Sequence, residues 1–124
     1  MFILNHANFV VPDVDAAAAF FVDHFGFSLS DMRGNGGFAV LDGAGFHLNL
    51  MRARHPDDAV YPENFHIGFL VPDPALVRAK QASLAAASLE PGPAETISRG
   101  GRRSLTFYCR APGGILVEVT GPAE

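Results

Sequence analysis

With 124 residues, 48% hydrophobic content and eleven Phe, the chain can bury a core of one small domain, which excludes disorder. Its net charge of −4 excludes the basic face that nucleic acid needs, and its single Cys109 excludes a disulfide framework or a Cys-rich zinc site. The apolar stretches are too broken to span a membrane, and no signal-peptide pattern opens the chain, so a cytoplasmic location is expected.

Residues 2–11 read as a strand through the β-prone Phe9, Val10 and Val11, with His6 and Asn8 on one face. Pro12-Asp13 ends it. Asp13 is an N-cap for a helix to Phe25, whose apolar stripe includes Val14, Ala17, Phe21 and Phe25, and Gly26 is placed to end it. Short strands follow at 27–32, 37–41 and 45–51, separated by Gly34-Asn35-Gly36 and Asp42-Gly43. Residues 53–63 carry Pro56 and Pro62, show no strand or helix pattern, and read as a linker. The pattern then restarts: a strand at 64–71, and a helix capped by Asp73 with Pro74 in its first turn, running to about Ser88. A weak strand at 95–98 precedes a basic loop, Arg99-Gly100-Gly101-Arg102-Arg103. Strands at 105–110 and 115–120 flank Pro112-Gly113-Gly114. Each half is therefore βαβββ, with modules at 1–52 and 64–124.

The two halves begin with the same phrase. His6-Ala-Asn-Phe-Val-Val-Pro-Asp13 recurs as His66-Ile-Gly-Phe-Leu-Val-Pro-Asp73, at a constant offset of sixty residues. A fixed internal period names the folding unit. Here it predicts a pseudo-twofold pair of modules, each with one histidine on its opening strand, and one site where the two histidines meet.

Four features together are similar to the vicinal-oxygen-chelate superfamily of glyoxalase I, bleomycin-resistance proteins and extradiol dioxygenases: His6 seven positions before Asp13, a helix ending in Phe25-Gly26-Phe27, His66 seven before Asp73, and Pro112-Gly113-Gly114 four residues ahead of Glu118. The resemblance covers the whole chain. It implies an α+β fold in which two βαβββ modules form a cup-shaped mixed sheet with helices outside. It also implies a divalent metal held by residues of the first and last strands of each module, here His6, His47, His66 and Glu118. The turn departs from the Asp-Pro-Asp-Gly frequent in relatives without touching those positions.

The residue types agree with that implication. Imidazole and carboxylate suit Ni²⁺, Co²⁺, Zn²⁺, Fe²⁺ or Mn²⁺ better than Ca²⁺. A strand histidine on its own reads as structural or exposed; recurrence at equivalent places favours the ligand reading. Glu118 lies within Ile-Leu-Val-Glu-Val, either on a solvated strand face or buried beside a partner. Aligning Gly43 with Gly114 sets His47 opposite Glu118. Asn8 and Asn49 share faces with His6 and His47 and are candidate substrate contacts. Tyr108 stands where relatives often place a substrate-contacting aromatic, or simply packs. Arg103, with Arg99 and Arg102, either grips an anionic substrate or forms a solvated turn. His24 and His55 read as solvated.

Two functions are open. One is a glyoxalase-like metal-dependent enzyme, a lyase, isomerase or transferase, with Glu118 as ligand and base. In it the metal polarises adjacent oxygens of a small substrate and stabilises an anion. The other is a metal-free, antibiotic-binding protein of the bleomycin-resistance type. A homodimer is expected in either case, because open sheet edges and apolar surface favour association.

Overall fold

The computed structural model describes residues 1–124, and its internal contacts divide the chain into two compact units. Unit 1 comprises Met1–Tyr61 with Pro112–Gly114; unit 2 comprises Pro62–Ala111 with Ile115–Glu124.

Unit 1 opens with β1 (His6–Val11), followed by α1 (Val14–Phe25), β2 (Ser28–Arg33), β3 (Phe38–Gly43) and β4 (Phe46–Arg52). Its sheet has the order β1-β4-β3-β2, with β1 parallel to β4 and the other pairs antiparallel. Helix α1 starts where the Asp13 carboxylate accepts the Ala16 amide at 3.0 Å, and it ends at Gly26, whose φ of 74° is left-handed. Its inner face buries Val14, Ala17 and Phe21 against Leu41, Leu48 and Leu50 of the sheet. Phe20, Phe21 and Phe27 add edge-to-face packing, with centroids 5.1 and 5.9 Å apart along the series.

Unit 2 repeats the plan with β5 (His66–Leu70), α2 (Pro74–Ala86), β6 (Glu95–Arg99), β7 (Arg102–Arg110) and β8 (Leu116–Pro122). The order is β5-β8-β7-β6, again with the first strand parallel to the last. The Asp73 carboxylate accepts the Ala75 amide at 2.8 Å. Val77 and Leu84 of α2 are buried in a core with Leu105, Phe107, Val117 and Val119. Side chains alternate across a strand, so each sheet has one face under its helix and one face away from it. The candidate residues other than Arg103 stand on the second face. The fold is α+β and each unit is a βαβββ module.

Three local expectations are corrected. The first strand begins at His6 rather than residue 2: Met1, Phe2, Ile3 and Leu4 pair with nothing and are exposed. The 53–63 segment holds a short 3-10 turn, Pro56–Ala59, and its Tyr61 hydroxyl donates to the Val10 carbonyl at 2.7 Å while accepting the Val10 amide at 2.8 Å. Tyr61 thus satisfies both backbone groups of an edge-strand residue. The basic segment is no loop, because Arg99 and Arg102 pair directly across a Gly100-Gly101 hairpin turn.

Candidate functional site

In unit 2, three of the sequence candidates come together. Glu118 sits on β8 at 9% exposure, on the face away from α2. Its register partner on β7 is Tyr108, whose hydroxyl donates to Glu118 Oε2 at 2.9 Å. Its partner on β5 is Gly68, which leaves that position without a side chain. His66, two residues back on the same face, places Nε2 at 3.2 Å from the same Oε2. The imidazole also stands edge-on to the Tyr108 ring, with centroids 5.8 Å apart at 87°.

The other imidazole nitrogen fixes the chemistry. His66 Nδ1 lies 2.9 Å from the Asn64 carbonyl oxygen, which only accepts, so Nδ1 carries a proton and donates. In neutral His66 the Nε2 lone pair therefore faces a carboxylate oxygen, and both atoms are acceptors. A proton on Nε2 or a cation between the two reconciles them. A backbone carbonyl holding the far nitrogen of a histidine is the arrangement that orients an imidazole for a metal. The nitrogen and oxygen donors fit a borderline divalent ion in kind. In number they are two, and the structure gathers no group of three His, Cys, Asp or Glu side chains.

Arg99 completes the cluster. Its Nη2 donates to the Tyr108 hydroxyl at 3.2 Å. That hydrogen bond first, and the nearby charge of Glu118 after it, hold the guanidinium pKa above its ordinary value. Tyr108 is thus linked at once to a cation and an anion. An open cleft of about 480 Å³ is lined by Asn64, His66, Arg99, Tyr108 and Arg110 among others. A second, of about 640 Å³, is lined by Glu118, Arg99, Arg102, Arg103 and Leu70 among others. Arg103 pairs with Ser98 on the alternate face of β7 from Tyr108, so Arg99 is the arginine that reaches the tyrosine. Reading the Gly-Gly pair as a two-residue hairpin would have shown this, since it puts Arg99, Arg102 and Tyr108 on one face.

In unit 1, His6 and His47 are direct register partners, as are Asn8 and Asn49, and all four share the face away from α1. His6 Nδ1 donates to Asn5 Oδ1 at 2.8 Å. His47 Nδ1 is ion-paired with Asp42 across the β3–β4 ladder. Asn49 Oδ1 is buried and has no hydrogen-bond partner. His24, expected to be solvated, is half-buried beside the Phe20 ring at 5.8 Å; His55 is exposed.

The register corrects the alignment of His47 with Glu118. In unit 1 His6 faces His47 and Asn8 faces Asn49; in unit 2 His66 faces Leu116 and Gly68 faces Glu118. The counterpart of Glu118 is therefore Asn49, and His47 corresponds to Leu116. Gly43 ends β3, pairing with Phe46 across a tight turn, whereas Gly114 lies in the longer connection between β7 and β8. Equating those glycines shifts the frame by two residues, which preserves the face but changes the residue.

Two βαβββ modules, each with its first strand parallel to its last, define the class of fold, and comparison with known proteins gives the family. The family described as Glyoxalase/Bleomycin resistance protein/Dioxygenase superfamily matches residues 3–119, and the chain belongs to it. It is similar to the solved structure of a possible glyoxalase from Bacillus cereus, at 35% identity and a TM-score of 0.79, covering 96% of this chain and 98% of that one. Lactoylglutathione lyase from Agrobacterium tumefaciens matches at 22% identity and a TM-score of 0.75, covering 98% of this chain and 94% of that one. A glyoxalase/bleomycin resistance protein/dioxygenase from Alicyclobacillus acidocaldarius matches at 18% identity and 0.76, covering 98% and 92%. The last two show the fold alone. A search of the curated proteins gave no match.

Proposed function

We propose that the protein is a glyoxalase-like, divalent-metal-dependent enzyme acting on a small substrate with adjacent oxygens. The observation that carries this reading is the pair of acceptors 3.2 Å apart, His66 Nε2 and Glu118 Oε2, with the far imidazole nitrogen tied to a backbone carbonyl. The candidate ligands are His66 and Glu118 in unit 2, and His6 and His47 in unit 1. The free Asn49 oxygen, as the register counterpart of Glu118, competes with His47 for that role. Bound there, the ion would polarise substrate oxygens and lower the cost of forming an anion.

This chain's own groups would handle the proton and the charge. Glu118, an acceptor in a nearly buried position, would serve as base. Tyr108 holds that carboxylate by its hydroxyl, and Arg99 keeps a permanent positive charge next to the hydroxyl. Within unit 1, the register partners Asn8 and Asn49 are the candidate amide groups for contact with a substrate. The 35%-identical neighbour described as a possible glyoxalase supports the same reading. The metal-free antibiotic-binding reading has less support, since a cationic drug would meet the arginines of unit 2. The protein is expected to be a cytoplasmic homodimer; no helix is long and apolar enough to cross a membrane.

Titration calorimetry on metal-stripped protein purified without a His tag tests the proposal. Wild type should bind about one Ni²⁺, Co²⁺ or Zn²⁺ per chain, more tightly than Ca²⁺, and acidification should weaken binding by protonating the donors. Glu118→Gln should lose about tenfold or more in affinity, with His55→Ala unchanged. No binding by wild type, or equal binding by Glu118→Gln, would put the metal-free reading first.

A further inference from the structure

We propose that the larger cleft of unit 2 binds the anionic group of the substrate on the β6–β7 hairpin, and that the substrate is a small organic carboxylate with an apolar segment. The word substrate rests on the function proposed above; the anion site stands on its own observations.

The first observation is charge. The chain has 13 acidic and 9 basic residues, yet Arg99, Arg102 and Arg103 form no ion pair with any of those acids. Two arginines outside the hairpin are paired: Arg33 with Asp31, and Arg78 with Glu124 through two bonds of 2.7 and 2.5 Å. Three guanidinium groups around one cleft, none of them in ion-pair contact with a carboxylate, form a local positive field at the hairpin that an anion would neutralise. A guanidinium also presents paired N–H donors that match the two oxygens of a carboxylate.

The second observation is the cleft. All three arginines line the same space of about 640 Å³, and Glu118 lines it too. One charge sign thus lies at the hairpin and the opposite sign at β8. An anion that entered would be drawn to the hairpin and repelled by Glu118, which fixes the direction in which a substrate lies. The third observation is the wall. Leu70 lines this cleft and is 82% exposed. An aliphatic residue so placed would bury apolar surface only when a ligand with an apolar segment covers it. Charge at one end, apolar contact along the side and a carboxylate base at the other end describe a carboxylate that presents its far end to Glu118.

The test uses the wild-type chain stripped of metal and passed into chelator-free, metal-depleted buffer, so no metal contributes, and reads binding of hexanoate and of uncharged hexanamide by ligand-observed NMR titration. Hexanoate should bind about tenfold or more tightly than hexanamide, and acetate should bind more weakly than hexanoate. The Arg102→Ala/Arg103→Ala double variant should lose about tenfold in hexanoate affinity and hold its hexanamide affinity. Both positions are exposed, so the fold should survive, and an unchanged melting temperature checks it. Arg33→Ala serves as the control and should bind as wild type. Equal affinity for hexanoate and hexanamide, no hexanoate binding, or full affinity in the double variant would overturn the inference and leave the three arginines as a solvated turn. Because metal is absent throughout, none of these results bears on the metal reading, and loss of metal binding would leave the anion site intact.

Discussion

At the scale of the residue, Tyr108 has the most demanding position in unit 2. One hydroxyl donates to a nearly buried carboxylate and accepts from a guanidinium. Phe would keep the ring's packing against His66 and remove both bonds. Tyr108→Phe should therefore cost about 1–2 kcal/mol of stability, the price of an under-satisfied buried acceptor. Urea denaturation at neutral pH measures this, and an unshifted midpoint would show that solvent replaces the hydroxyl. Packing was the plainer expectation for Tyr108, and the structure gives it packing and hydrogen bonding together. His66 and Glu118 were legible because each is an odd residue in an apolar strand. The Asn64 carbonyl that sets the His66 tautomer was not, since a backbone acceptor leaves no mark in the sequence. Arg99 was visible only as one of three arginines. Which of the three shares the face of Tyr108 depends on the length of the turn.

At the scale of the element, glycines show which boundaries are geometric and which are packed. Gly26 has a left-handed φ of 74° and open space where a Cβ would stand; Gly43 has ordinary φ but would put a Cβ 2.6 Å from the Phe27 ring. Gly26→Ala should cost about 1 kcal/mol through backbone strain alone. Gly43→Ala should cost more, about 1–3 kcal/mol, because Phe27 is 8% exposed and has little room to retreat. Thermal melts of the two variants decide the order, and an equal or inverted order would contradict the packing argument. Both helices were readable, since Asp13, Asp73, Pro74 and Gly26 are strong local signals. Strand frame was less so. The match of Gly43 to Gly114 ignored that the two connections differ in length, which moved Glu118's counterpart from Asn49 to His47.

At the scale of the molecule, the sixty-residue repeat carried the fold. Both units have the same strand order, the same parallel pairing of first and last strands, and a helix starting at equivalent Asp caps. The repeat was visible because the opening strand, the Pro-Asp break and the cap form one continuous phrase in each half. The N-terminal segment escaped for the opposite reason: Phe2, Ile3 and Leu4 are strand-like in type but lack a partner strand. Four consecutive apolar residues, each 78% exposed or more, support the proposed homodimer. Light scattering should report twice the chain mass at micromolar concentration; a monomer insensitive to dilution would contradict the proposal.

In the proposed function, His66 Nε2 and Glu118 Oε2 share a cation. Long-range ¹H–¹⁵N correlation spectra of the histidine rings test this, because they report which imidazole nitrogen carries a proton and which responds to an ion. At a pH where His66 is neutral, the proton should be on Nδ1, and the His66 Nε2 resonance should shift when Zn²⁺ is added, a shift absent in Glu118→Gln. A proton on Nε2 instead, or a His66 Nε2 resonance indifferent to Zn²⁺, would contradict it.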